Sequence, residues 1–228
     1  MNEDSCDIND VTHAASDLIA FGCHLGATQL YDSFAQLRFS EIIVGFANEV
    51  IGAVNDGIVS AKQGLQALKE EHADLSNKIL FYAQNGVGAA AGIMQIQTGA
   101  IVIASTRGGA MPLGVLYYAH GANNVYEGVG NIYNGPTEPA LVGPIRKGYQ
   151  AISGDISTGN TRYYLVDLSL SGIGVFFPVR KTGSIELFNR DPLNYERAFK
   201  SAGKLALSLE ILADMITIKN IKDATDTK

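Results

Sequence analysis

Apolar residues recur at helical spacing from near the start of the chain. Val11, Ala14, Ala15, Leu18 and Ile19 form one stripe, and Leu30, Tyr31, Phe34 and Leu37 form another. Apolar residues three and four apart fall on one helical face, so both stretches predict amphipathic helices. Phe46, Val50, Ile51, Val54, Ile58, Ala61, Leu65 and Leu68 continue the pattern as a longer stripe, read as one helix ending near Ala73. Residues 1–8 are a polar lead-in. Residues 1–75 therefore read as a bundle of amphipathic helices whose stripes form a core.

The pattern changes after Lys78. From Ile79 to Thr106 the chain carries no charge over about 28 residues, more than the ~20 a helix needs to cross a bilayer. Arg107 and Gly108-Gly109 interrupt, and a second uncharged run continues to Tyr126 before Glu127. The two runs predict a Gly/Ala-rich helical hairpin over 79–126. Pro112 is placed to start or kink its second arm. Gly88, Gly92, Ala100 and Ala104 put small residues four apart, a spacing that lets helices pack closely in lipid. Gln95 and Gln97 would be costly against lipid, which turns them toward a partner or a wet lumen.

Residues 132–160 are punctuated by glycine and proline and read as loop. A third apolar segment, 163–179, contains the single charge Asp167. An acid there is either a functional group in an apolar span or a helix cap or buried ion-pair partner. Asp191-Pro192 has the form of an N-cap followed by proline at the first helical position. It opens a C-terminal amphipathic helix expected over 192–218, with a fraying tail from Lys219. The predicted fold is mainly α: a helical bundle around a central hydrophobic hairpin, with regions 1–75 and 76–228.

Composition adds to this picture. The chain has 228 residues, 46% hydrophobic and 18% charged, with a mean hydropathy of +0.09. Those values lie between a soluble chain and a constitutive multi-span membrane protein, as expected of a protein that is soluble in one state and membrane-bound in another, or of an ordinary globular protein with a generous core. A net charge of −6, with basic residues only single or paired (Arg146-Lys147, Arg180-Lys181), argues against nucleic-acid binding. It also predicts repulsion from anionic lipid, leaving apolar burial or a membrane potential to drive insertion. Cys6 and Cys23 form neither a metal pattern nor a disulfide framework. The acidic N-terminus (Glu3, Asp4, Asp7, Asp10) lacks the features of a cleaved signal. The expectation is synthesis in the cytoplasm and export by a machine that needs no signal peptide.

Candidate chemistry is sparse. His13, His24, His72 and His120 show no metal-ligand spacing, so no metal or cofactor is expected. Gly86 to Ala91 fits a G-x-G-x-x-A dinucleotide turn, but helical elements precede it and no acid lies between Leu75 and Glu127. No spacing nominates a catalytic triad. His120 and Glu127 stand about two helical turns apart and can share a face.

Two stretches carry a family resemblance: Ala119 to Glu127 (AHGANNVYE), and Asp167 to Gly174 (DLSLSGIG) with its continuation Leu207 to Asp214 (LSLEILAD). Over roughly residues 80–218 the chain resembles a bacterial family filed as a domain of unknown function. Members of that family stand alone or as C-terminal domains of PAAR- and Rhs-type proteins delivered by type VI secretion. In size and character it is also similar to type VI effectors that form ion-selective pores in a competitor's inner membrane.

The resemblance implies an antibacterial toxin rather than an enzyme, with a cognate immunity protein and an Hcp, VgrG or PAAR carrier. It also implies self-assembly in the target inner membrane. On this reading the N-terminal helices shield the hairpin while the protein is soluble. Candidate insertion or pore positions are Gly88, Gly92, Gln95, Gln97, Ala100, Ala104, Arg107, His120, Asn123, Asn124, Glu127 and Asp167. Gln95, Asn124, Glu127 and Asp167 are the groups expected to favour cations in a narrow lumen. Two alternatives stand beside it: an enzymatic toxin with a site around His120, Asn123, Asn124, Glu127 and Asp167, and a non-toxic helical adaptor.

Overall fold

The structure, a computed structural model, describes residues 6–181, 183–185 and 192–226. It is mainly α-helical. Its helices are α1 (Ile8–Gln29), α2 (Ser33–Asn55), α3 (Ala61–Ser105), α4 (Met111–Asn134), α5 (Pro144–Ser153), α6 (Ile156–Phe176), α7 (Ala198–Ser201) and α8 (Lys204–Asp226). A two-stranded antiparallel ribbon, β1 (Pro178–Arg180) and β2 (Tyr195–Arg197), lies between α6 and α7. The chain divides into two compact units, Met1–Ile79 and Leu80–Lys228.

In the first unit, Asp7 opens α1 with a capping box that pairs it reciprocally with Asp10, satisfying amide donors the first turn leaves free. Asp32 caps α2 through the Ala35 amide. Val11, Ala15 and Leu18 of α1 and Leu68 of α3 are buried as the spacing predicts, but they meet Ile43 and Ala47 of α2; Tyr31, Phe34 and Leu37, expected as a core stripe, are exposed. The expected single helix from Phe46 to Ala73 is two helices. Helix α2 stops at Asn55, Gly57 takes a left-handed φ of 70°, and Ser60 with Gln63 forms a new N-terminal box. The Asn-Asp-Gly turn and the Ser-x-x-Gln box are local stop and start signals, and they override the apolar spacing that runs through them. Ile58, counted as core by spacing, lies in the turn and is exposed.

In the second unit, the hairpin is formed by the latter part of α3 and by α4, joined through a tight turn. Arg107 sits there at φ 52° and Gly108 at φ 86°, and the Thr106 hydroxyl accepts a hydrogen bond from the Ala110 amide at 3.0 Å. Pro112 falls in the first turn of α4, where its missing N–H removes no helical bond.

The two arms approach at glycines seven residues apart. A Cβ on Gly92 would stand 2.6 Å from the Gly121 carbonyl, and one on Gly99 would stand 2.8 Å from the Gly114 carbonyl. Gly128 opposes Asn85 and Ala89. The antiparallel seam is thus a heptad of glycines, which keeps one face of each helix in register with the other. The expected spacing of four does not form it. Gly88 faces open space, and Ala100 and Ala104 are exposed.

The 132–160 segment is irregular only over 135–143 and at 154–155; the rest is helix. Helix α4 continues to Asn134, Gly143-Pro144 starts α5, and Asp155 caps α6 through the Thr158 amide at 2.7 Å. Here Gly143, Pro144 and Gly154 mark helix ends, while Pro136 and Pro139 lie in the irregular stretch between α4 and α5. Helix α6 is flanked by α5 and α8. The C-terminal helix begins at Lys204, not Pro192, and runs to Asp226. Pro192–Asn194 is a short 3-10 turn and Tyr195–Arg197 is strand. Asp191, read as its cap, lies outside the described residues. The expected fraying from Lys219 is replaced by helix, held in part by the Ser157 hydroxyl donating to the Ala224 carbonyl at 2.5 Å.

Candidate functional site

Along α4, His120, Asn123, Asn124, Glu127 and Asn131 recur at helical spacing on the face that turns inward. Their side chains converge with groups from α3, α5 and α6 in two linked clusters.

The first cluster centres on Asp167, in the middle of α6. Its Oδ1 accepts from Gln95 Nε2 at 2.8 Å and from Asn124 Nδ2 at 3.1 Å, and it lies 3.2 Å from His120 Nδ1. A carboxylate oxygen accepts, so His120 Nδ1 is the donor, and in the neutral ring Nε2 then accepts from the Tyr149 hydroxyl at 3.2 Å. Asn124 also donates to Gln95 Oε1 at 2.9 Å and receives the Tyr163 hydroxyl at 2.6 Å. The His120 ring stacks on Tyr163 with centroids 4.7 Å apart. Burial, followed by the charge of Asp167, raises the pKa of the Tyr149 phenol, which keeps it a proton donor to His120.

The second cluster ties α4 to the start of α5. Glu127 Oε1 accepts from Asn123 Nδ2 at 2.8 Å and from the Gly143 amide at 2.6 Å. Asn123 Oδ1 accepts from the Ile145 amide at 3.0 Å. The first amides of α5 have no local side-chain cap, so Asn123 and Glu127 cap that helix from a distance. A carboxylate there also meets the positive end of the helix dipole. Glu127 Oε2 pairs with Arg146 Nη2 at 2.9 Å. Arg146 donates as well to the Tyr164 hydroxyl, and its guanidinium lies 5.5 Å from that ring. Asn123 Nδ2 also donates to Tyr163 Oη at 3.0 Å, linking the two clusters. Beside them, Asn131 donates to Asn85 at 2.9 Å and accepts the Leu141 amide at 2.6 Å.

A cavity of about 290 Å³ opens against these groups, lined in part by Asn124, Glu127, Arg146, Asp167 and Thr217. Farther along α6 the Ser171 hydroxyl donates to Asp214 of α8 at 3.0 Å. Burial raises the pKa of both Asp214 and Glu210, and Ser171 opposes the rise. Among the described residues no group of three or more His, Cys, Asp or Glu side chains is placed to hold a metal ion.

Of the positions singled out in the sequence, Gln95, His120, Asn123, Asn124, Glu127 and Asp167 share one network, and Gly92 belongs to the glycine seam. Gly88 lines the cavity. Gln97, Ala100, Ala104 and Arg107 are exposed and outside the network. Sequence reading missed Tyr149, Tyr163 and Arg146, whose roles depend on how α5 and α6 pack. It also missed the partners Gly99, Gly114, Gly121 and Gly128, although their seven-residue spacing is visible in the chain. Asp167 is mid-helix and accepts three side-chain contacts, so it is not a helix cap.

On a mainly α-helical frame the second unit encloses a hydrogen-bonded polar network beside the apolar cluster of Val102, Tyr117 and Leu170, and it exposes several large apolar side chains. Among the described residues one helix, Ala61–Ser105, is long and apolar enough to cross a membrane, and 22% of its apolar window is buried. The chain belongs to the family described as a protein of unknown function (DUF4225), whose model matches residues 59–203. The match takes in α3 through α7 and leaves out the Leu207–Asp214 stretch that carried part of the resemblance. No curated protein and no solved structure matches the chain.

Proposed function

We propose that this protein is an antibacterial toxin that inserts into the inner membrane of a target cell and conducts ions, with cations favoured. The observation that carries the reading is the inversion of polarity along α4, whose polar groups turn inward while large apolar side chains face out. His120 is 0% exposed, Asn123 2% and Glu127 9%, whereas Val115 and Val129 on the same helix are each 54% exposed and Leu165 on α6 is 49%. In water such a surface is unfavourable. In a bilayer it faces acyl chains, while the polar groups satisfy one another inside. The glycine seam fits the same setting, because helices in lipid associate through close packing rather than water exclusion. Two carboxylates, Glu127 and Asp167, border the internal cavity, and acidic and amide groups lining a narrow path favour cations.

The resemblance to type VI effectors extends this reading. The toxin travels by that machinery on an Hcp, VgrG or PAAR carrier, a cognate immunity protein protects the producer, and copies assemble in the membrane. The reading needs no catalytic site, metal or cofactor.

One observation favours a second reading, an enzymatic toxin: His120, Asn123, Asn124, Glu127 and Asp167 do assemble in one place. Against it, His120 is wholly enclosed between Asp167, Tyr149 and Tyr163. The test is current across a planar lipid bilayer after adding the purified protein under a salt gradient. Discrete steps with a cation-biased reversal potential are expected. A silent bilayer from protein that is still toxic in cells, with toxicity abolished in His120→Ala, would replace the pore by the enzyme.

A further inference from the structure

One end of the second unit gathers basic charge that the chain as a whole lacks. Residues 177–204 hold six cations (Arg180, Lys181, Arg190, Arg197, Lys200, Lys204) and three acids (Glu186, Asp191, Glu196), a balance of +3 in a chain of −6. Among its described residues, the pairing of β1 with β2 brings Lys181, Arg197 and Lys200 around one cavity. Phe177, just before the ribbon, packs against the cluster of Val102, Tyr117 and Leu170.

Arg180, Lys181, Arg197 and Lys200 are exposed, and among the described residues none of them forms an ion pair. Among the described residues, Lys181 and Arg197 donate to backbone carbonyls. Lys181 Nζ donates to the Leu193 carbonyl at 2.8 Å, and Arg197 Nη1 to the Phe176 carbonyl at 2.8 Å. An open cavity of about 660 Å³ lies among Lys181, Tyr195, Arg197 and Lys200, with Glu196 on its wall. Large apolar side chains stand out beside these cations: Phe176, Ile185 and Leu193 are all exposed.

We propose that the ribbon end docks on the headgroup layer of an anionic phospholipid leaflet. Lys181, Arg197 and Lys200 meet lipid phosphates, and Phe176, Ile185 and Leu193 enter between the headgroups. Exposed cations interleaved with apolar side chains are what an anionic interface selects. The docking deepens the membrane reading, on which it rests, and it sets direction: the basic end stays at the anionic leaflet. It also removes the difficulty posed by the net charge of −6, since the lipid meets a local patch of opposite sign within a Debye length, ~10 Å at moderate salt.

The experiment is flotation of the full chain with vesicles of phosphatidylcholine, alone or with phosphatidylglycerol, at low and high salt. The wild type is expected to prefer the phosphatidylglycerol vesicles and to lose that preference in high salt. The variant Lys181→Gln/Arg197→Gln/Lys200→Gln should bind them on the order of a hundredfold more weakly. The single variant Lys200→Gln, which removes charge from an exposed position, should cost about fivefold and stands in if the triple variant misfolds. Equal binding of the wild type to both vesicles, or unchanged binding by the charge variants, would overturn the docking and leave the membrane reading standing. Binding to neither vesicle would overturn both.

Discussion

The carbonyl of Gly92 lies 2.5 Å from the point where a Cβ on Gly121 would stand. No real side chain occupies such a space, so the two backbones touch there only because both residues are glycine. Gly121→Ala must push α3 and α4 apart or distort one of them, and is expected to cost about 1–3 kcal/mol of stability. Gly88→Ala is the opposite case. Its Cβ meets nothing within 4 Å, and replacing a mid-helix glycine stabilises by about 0.5–1 kcal/mol. Denaturation midpoints of the two variants should move in opposite directions. A Gly121→Ala protein as stable as wild type would remove the seam.

Asp167 accepts from Gln95, Asn124 and His120. Asp167→Ala leaves three donors without their shared acceptor and is expected to destabilise by roughly 2–4 kcal/mol. Combined with Gln95→Leu, the loss should be less than the sum of the two single losses, because one donor has then gone with the acceptor. Strict additivity in chemical denaturation would mean that the pair does not interact.

Glu127 holds the Gly143 amide and the Arg146 guanidinium together. Glu127→Ala should destabilise by about 3–5 kcal/mol, chiefly through the buried guanidinium it strands. It should also speed hydrogen exchange at the Gly143 amide more than at helical amides in the middle of α4. Uniform acceleration across the unit would contradict a local capping role.

Glu210 and Asp214 have pKa values raised by burial. The folded state then holds its protons to higher pH than the unfolded chain, so stability falls as pH rises from the ordinary carboxyl range, about 4, through the raised values. Thermal midpoints should therefore decline across that interval, and Glu210→Gln with Asp214→Asn should flatten the decline. Ser171 lowers both values by hydrogen bonding, so Ser171→Ala should extend the decline to higher pH. A wild-type profile that rises over the same interval would reverse the assignment.

The sequence by itself determined the mainly helical character, the α1 and α3 sides of the N-terminal core and the uncharged hairpin. Helical periodicity and charge-free length are local properties that the chain carries before it folds. It also marked His120, Asn123, Asn124 and Glu127, because helical spacing puts them on one face wherever the helix goes. Tertiary structure decided what that face meets. Gln95 reaches Asp167 across 72 positions of sequence, and no spacing rule registers such a pair. The helix ends at Asn55, Pro144 and Lys204 turned on turn chemistry and capping rather than on periodicity. The choice of glycines spaced by seven over small residues spaced by four belongs to the partner helix, since only an opposing backbone makes a missing Cβ count. The same holds for charge: Lys181, Arg197 and Lys200, well apart in the sequence, surround one cavity because β1 pairs with β2.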